Sequence, residues 1–155
     1  ERDWRMTRYF KVQIVFFFRL ILGIIFLYAS WDKIAHPAEF AKAIGNYHAV
    51  PFGLENMIGL VLPWLELLVG FCLIAGIMVD GAAILCVIMN VVFIFAISQA
   101  LARGISIDCG CFSVTTEGGD KIGLETILRD IVYLGMSLVI LYRTERRLEF
   151  FPKSV

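Results

Sequence analysis

Four stretches of the chain are almost wholly apolar and about twenty residues long, near positions 12–31, 57–79, 81–102 and 123–142. Roughly 20 helical residues cross a hydrocarbon core about 30 Å thick. None of the four alternates with a period of two, and lipid offers no water to open backbone groups, so each reads as a membrane-spanning α-helix. Polar residues recur inside them at helical spacing. Arg19, Gly23, Phe26, Ser30 and Lys33 follow one another by four, three, four and three, which puts them on one face of the first helix. Gly59, Pro63, Glu66 and Gly70 share a face of the second, Asn90 sits midway along the third, and Thr126, Asp130, Tyr133 and Ser137 stripe the fourth. Each helix thus offers polar groups to a shared interior.

The connections complete the expected architecture. Residues 37–48 predict a short helix with Phe40, Ile44 and Tyr47 on its apolar side and Glu39, Lys42 and Asn46 largely elsewhere. That pattern suits a helix lying flat on the membrane surface. The expectation is an all-α membrane protein, a single domain over 1–155, folded as a four-transmembrane-helix bundle with this short interfacial helix in the first connection. Trp31-Asp32-Lys33 is expected to close the first helix, Met78-Val79-Asp80-Gly81 to form a tight turn, and Arg103-Gly104 to end the third. Pro63 is expected to bend the second helix. Arg19, Glu66 and Asn90 fall inside the membrane, where ionisable and polar groups face the bundle interior and mark functional positions by default. Counting 1.5 Å per residue places Arg19 and Glu66 within about 6 Å in depth, so they are the expected ion pair. Lys33 and Asp130 are expected to form a second, Asn90 to hydrogen-bond across the interior, and Glu125 and Arg129 to pair along the last helix.

Composition sharpens this picture. Hydrophobic residues make up 59% of the 155, above the 45–50% usual for soluble domains. Fourteen basic residues balance fourteen acidic ones, which argues against a nucleic-acid partner. The balance hides an asymmetry. Arg2, Arg5, Arg8 and Lys11 precede the first helix and Arg143, Arg146, Arg147 and Lys153 follow the fourth, against Lys33, Lys42, Arg103 and Lys121 on the other side. Both termini are therefore expected in the cytoplasm, with the bacterial inner membrane as the location. The first apolar run is too long for a cleaved leader and lacks a small-residue cleavage site, so it is expected to act as a signal anchor.

The third connection carries the most distinctive chemistry, Asp108-Cys109-Gly110-Cys111-Phe112-Ser113. On the extracytoplasmic side a disulfide can form and persist. Bridging cysteines two residues apart requires a sharp bend, which Gly110 permits. Such a bridge restrains the unfolded chain little, and strained exposed disulfides are the labile, exchanging kind. Redox exchange is one reading of Cys109 and Cys111. A thiolate site completed by His36 or His48 is another, although the ligands are far apart and the usual two-residue spacer is missing, so no metal is assigned. A reduced or purely structural pair is the third. Cys72 and Cys86 fall at similar depths on neighbouring helices and read as small core residues.

These residues also resemble a known family. Arg19 and Gly23, Asp32-Lys33, Pro37, Tyr47 and Pro51, Leu62-Pro63-Trp64-Leu65-Glu66 with Gly70, Arg103-Gly104, Asp108-Cys109-Gly110-Cys111-Phe112 and Arg129-Asp130 together resemble the MauE branch of the DoxX-like redox-associated membrane proteins. Ser113 and Ser30 depart from the pattern, standing where glycine is usual or common. The resemblance implies a four-helix bundle that supports disulfide formation or electron transfer outside the cytoplasm, beside a thioredoxin-like partner. Related DoxX-type proteins imply a quinone as acceptor; Lys33, Arg129 and Asp130 are expected near it, their charges stabilising reduced or proton-accepting intermediates. The expected function is a membrane thiol–disulfide oxidoreductase using Cys109 and Cys111. The alternative is a non-catalytic integral subunit of a larger membrane complex, with Phe16-Phe17-Phe18 facing lipid or partner.

Overall fold

A computed structural model of the chain describes residues 2–46, 53–103 and 124–142, without the side chains of residues 2–10 and 124. Five helices run through them: α1 (Arg2–Ala35), α2 (Pro37–Asn46), α3 (Leu54–Ala75), α4 (Val79–Ala102) and α5 (Leu124–Leu141). The 25 residues Lys11–Ala35 of α1, together with all of α3 and α4, are long and apolar enough to cross a membrane. The 18-residue α5 carries Glu125, Arg129 and Asp130 in its first two turns.

Two helix ends differ from expectation for identifiable reasons. α1 does not close at Trp31-Asp32-Lys33 but continues to Ala35, and the His36 amide still donates to the Asp32 carbonyl at 3.1 Å. The stop signal is Pro37, which lacks an N–H, restricts the residue before it and is well suited to start α2. α3 ends at Ala75, earlier than the expected 79. Gly76 takes the left-handed conformation (φ 74°), and the amides of Gly76 and Ile77 both donate to the Cys72 carbonyl at 2.9 and 3.1 Å. This satisfies a carbonyl that the helix end would otherwise leave open. Met78 follows at φ 48°, and α4 begins. The turn is 76–78, and Asp80 lies in the first turn of α4, where its charge suits the helix dipole.

The helices α1, α3, α4 and α5 form a ring in which α1 packs most extensively on α3 and α4 on α5. The two pairs meet along α3–α4 and α1–α5, while α2 lies mainly against α3. Neighbours are antiparallel, so one end of the ring gathers the α3–α4 turn with the start of α1 and the end of α5. Toward that end lies an apolar core of Leu22, Phe26, Val69, Leu73, Val79, Ala82, Ala83, Cys86, Met89 and Ile140. The outer surface is apolar too: Phe17, Trp31, Trp64, Phe95 and Val132 are all more than half exposed. The polar residues Arg19, Ser30, Lys33, Glu66, Asn90, Thr126, Asp130 and Ser137 are buried. Apolar outside and polar inside is the arrangement that lipid selects. Within the Phe16-Phe17-Phe18 run only Phe17 points fully outward, since Phe18 packs against the core.

Glycines set how closely the first pair approaches. A Cβ at Gly23 would stand 2.5 Å from an Ile74 side-chain carbon and 3.0 Å from the Gly70 carbonyl oxygen; one at Gly70 would stand 2.9 Å from the Gly23 carbonyl oxygen. Backbone thus meets backbone between α1 and α3. Gly59 does the same for α2, where a Cβ would lie 2.9 Å from that of Ala41. Gly135 faces open space. Gly70→Leu is expected to lower stability by about 1–3 kcal/mol through overpacking, whereas Gly135→Ala gains up to about 1 kcal/mol in helix propensity. Reversible unfolding in mixed micelles measures both, and equal effects at the two positions would contradict this packing.

Candidate functional site

Lys33 is only 2% exposed although it stands one turn from the end of α1. Its Nζ donates to both carboxylate oxygens of Glu66 on α3, at 2.7 and 2.8 Å. Glu66 is equally buried. The rest of the ammonium faces two rings, Phe40 of α2 at 5.0 Å and Phe93 of α4 at 5.5 Å from their centroids. Both lie within the range where a ring's negative face attracts a cation. One charge therefore ties together α1, α2, α3 and α4.

The partner of Glu66 is Lys33, not the expected Arg19. Estimating depth along the helices ignored the direction of the side chains, which lean toward the N-terminus of their own helix. Arg19 lies beside Leu73 and Gly23 beside Gly70, so Glu66 falls between Arg19 and Lys33 along the axis. On antiparallel helices Lys33 and Glu66 lean toward each other, and Arg19 leans away. Arg19, 3% exposed, instead donates from Nε to the Leu73 carbonyl at 3.1 Å, near the C-terminal end of α3.

The pair borders a pocket of ≈ 50 Å³ walled by all four ring helices: Ile25, Phe26, Ala29 and Lys33 from α1, Glu66 from α3, Asn90 and Phe93 from α4, Asp130 and Tyr133 from α5. A water needs about 10–15 Å³ on this kind of measure, so the space admits several non-hydrogen atoms. Asp130 is 6% exposed, and the guanidinium of Arg129 stands 3.7 Å from its Oδ1. Lys33 and Asp130 share the pocket but do not form the expected ion pair, because the Lys33 hydrogen bonds go to Glu66. Asn90 also differs from expectation. Its amide donates within its own helix, to the Cys86 carbonyl at 2.8 Å, and approaches the Cys86 sulfur at 3.5 Å. The carbonyl one turn back is a local acceptor that an amide side chain inside a helix can reach.

The remaining candidates are placed as follows. Cys72 and Cys86 are free thiols, Cys86 fully within the core. His36 Nδ1 lies 3.2 Å from the Asp32 carbonyl and 3.6 Å from its Oδ1 on the surface side of α1. Cys109, Cys111, Ser113, Tyr47 and His48 lie outside the described residues. Phe93 was not anticipated. It follows Asn90 by three positions, a spacing that puts it on the same interior face and could have revealed it.

Residues 11–143 match the model of the family described as methylamine utilisation protein MauE. The chain belongs to the MauE family. The match contains every residue that lines the pocket and both cysteines of the third connection. MauE of Methylophilus methylotrophus is 30% identical over 128 residues, 82% of this chain and 67% of that one. MauE of Paracoccus denitrificans is 28% identical over 79% of this chain and 65% of its own length. MauE of Methylorubrum extorquens is 36% identical over 62% of this chain and 52% of its own length. The chain thus spans between about half and two thirds of these MauE proteins. No solved structure gives a significant match.

The buried pair makes a sharp energetic prediction. Removing one partner strands a charge, so Lys33→Met or Glu66→Leu is expected to cost about 3–5 kcal/mol, while the double replacement recovers most of the loss. A double-mutant cycle by unfolding in mixed micelles checks this; additive single effects would show that the two side chains do not act as a pair.

Proposed function

We propose that this MauE-family chain is a membrane thiol–disulfide redox protein of methylamine utilisation. Its single domain crosses the membrane four times, α5 being the fourth span, with both termini cytoplasmic and α2 at the extracytoplasmic surface. The burial of Lys33 inside the bundle supports this orientation, because it leaves Lys42, Arg103 and Lys121 against eight basic residues flanking the termini. The connection between α4 and α5 then presents Cys109 and Cys111 outside the cytoplasm, where a thioredoxin-like dithiol protein is the partner. The wider DoxX-like grouping accords with the same reading.

The observation that carries it is the charged pocket. Four buried polar residues from four helices border it, more than a bundle needs for packing, and intramembrane ionisable groups of this kind accompany function. Asp130 lies six residues into α5, about 9 Å from the end of the helix that receives the cysteine-bearing connection. The acceptor, of which a quinone is the class, meets the pocket with its polar edge only, since a space of ≈ 50 Å³ admits several non-hydrogen atoms and not a whole ring. Lys33, Arg129 and Asp130 provide its charged surroundings. A partner thiolate attacks the Cys109–Cys111 disulfide, a mixed disulfide forms and is resolved, and the partner leaves oxidised. The resulting Cys109 and Cys111 thiols then return two electrons and two protons to the acceptor, which regenerates the disulfide.

Alkylation trapping of Cys109 and Cys111 in isolated membranes, with and without a dithiol reductant, tests the redox step. The pair is expected to shift between blocked and reactive forms, and Cys109→Ser to reduce exchange to background. A pair that never changes state removes the proposal. Undiminished activity of the host complex with Cys109→Ser would favour a non-catalytic subunit instead. In intact cells, a membrane-impermeant maleimide is expected to label Cys111 of the Cys109→Ser protein; labelling only after lysis would reverse the orientation.

A further inference from the structure

The pocket is small and its walls are chemically mixed, and together these narrow what can fill it. A space of ≈ 50 Å³ takes about three or four waters at roughly 10–15 Å³ each. Its apolar lining of Ile25, Phe26, Ala29 and Phe93 is interrupted by polar side chains of both hydrogen-bonding kinds. Among the acceptors, the Asn90 amide nitrogen donates to the Cys86 carbonyl at 2.8 Å. A carbonyl can only accept, so this contact orients the amide and leaves its Oδ1 to accept. Asp130, only 6% exposed, has Arg129 Nε 3.7 Å from its Oδ1, longer than a hydrogen bond. Each Glu66 oxygen accepts one bond from Lys33 and keeps a second lone pair.

Donors stand beside these acceptors. An ammonium carries three N–H bonds, and Lys33 gives two of them to Glu66. The Tyr133 side chain lines the pocket, and its hydroxyl both donates and accepts. Next to Asp130, Arg129 adds Nε and Nη2, both buried. Charge narrows the choice further. Lys33 stands against Glu66 and Arg129 beside Asp130, so an added ion would leave one charge unbalanced inside the bundle. A purely apolar occupant would bury Asp130 and the Asn90 oxygen without the hydrogen bonds they require. Water is neutral, small enough, and able both to donate and to accept.

We infer that the pocket is a water site, in which about three molecules bridge Asp130 and Asn90 Oδ1 to the Lys33–Glu66 pair. The Lys33 ammonium joins α1 to α4 directly but makes no bond to α5; the waters extend its network to Asp130. They also lay a proton path between two carboxylates on separate helices, the use to which buried acidic chains in membranes are put. A proton entering at Asp130 passes to one water as that water gives one of its own to the next. It reaches Glu66 with every water restored. The site needs neither the cysteine chemistry nor an acceptor.

Magic-angle-spinning NMR of the full chain in lipid vesicles, with isotope-labelled alanine and lysine, tests the site. Magnetisation from water is expected to reach the pocket-lining Ala29 methyl at least five-fold faster than that of Ala83, which is fully buried in the apolar core. Xenon, which enters dry apolar cavities, is expected to leave the Ala29 signal unshifted. Asn90→Leu, similar in size but without the amide, is expected to slow water transfer to Ala29 at least three-fold and deuterium exchange at Lys33 Nζ at least ten-fold. Transfer to Ala29 no faster than to Ala83, a xenon-induced shift of Ala29 in the unaltered chain, or Lys33 exchange unaltered by Asn90→Leu would each overturn the inference. The first two readouts require no substitution, so they decide the matter even where the variant fails to fold. None of them involves Cys109 or Cys111: their failure leaves the redox reading standing, and inert cysteines leave the water site standing.

Discussion

Two opposite charges buried together impose a stricter geometry than any apolar contact in this bundle. Apolar contacts are non-directional and select no particular partner, whereas an ammonium inside a low-dielectric interior must meet its carboxylate. Lys33 and Glu66 therefore fix the register of α1 against α3. The glycines at positions 23 and 70 make the matching close approach available, since each would be blocked by a Cβ. α2 and α4 are joined to the same point through Phe40 and Phe93. The one interaction thus determines both how four helices meet and where polar space remains between them.

The bundle divides lengthwise into two kinds of interior. Toward the α3–α4 turn the core is apolar and includes Leu22, Leu73 and Ile140. Toward the opposite end it carries Lys33, Glu66, Asn90 and Asp130 around open volume. The first half supplies rigidity, since tightly packed aliphatic side chains tolerate little movement. The second half holds the charged and polar groups, and it lies toward the end of the bundle from which the connection carrying Cys109 and Cys111 departs. The family match spans both halves, so the division belongs to the part of the chain that is shared with other MauE proteins.

Much of this was legible in the sequence, because the helical period is a strong signal when the outside of a bundle is lipid-like. The existence of five helices, and the inward placement of Arg19, Lys33, Glu66, Asn90 and Asp130, follow from spacing alone. Partner choice did not follow. Depth along an axis is a scalar, whereas a side chain has a direction, and the lean of Lys33 and Glu66 toward each other decided a pairing that depth assigned to Arg19. Local competition misled in a second way. Asp80-Gly81 carries a turn signal, but Gly76 captured the turn because it offers left-handed backbone where α3 exhausts its hydrogen bonds. Asn90 likewise found a carbonyl in its own helix before any group across the interior.

The separation of Lys33 and Glu66 along the chain has a consequence in time as well as in space. Glu66 follows Lys33 by thirty-three positions, with α2 between them, so the amine is synthesised well before the carboxylate that neutralises it. An isolated lysine costs about 2.5–3.5 kcal/mol at the centre of a span by insertion scales and less near its end, where Lys33 stands. While α1 is alone, an ammonium in its last turn favours the polar boundary of the membrane, where water still solvates it. Arrival of α3 removes that restraint by bringing Glu66 across. Burial of Lys33 is thus a property of the α1–α3 pair, and a chain stopped before residue 66 lacks the carboxylate that neutralises it.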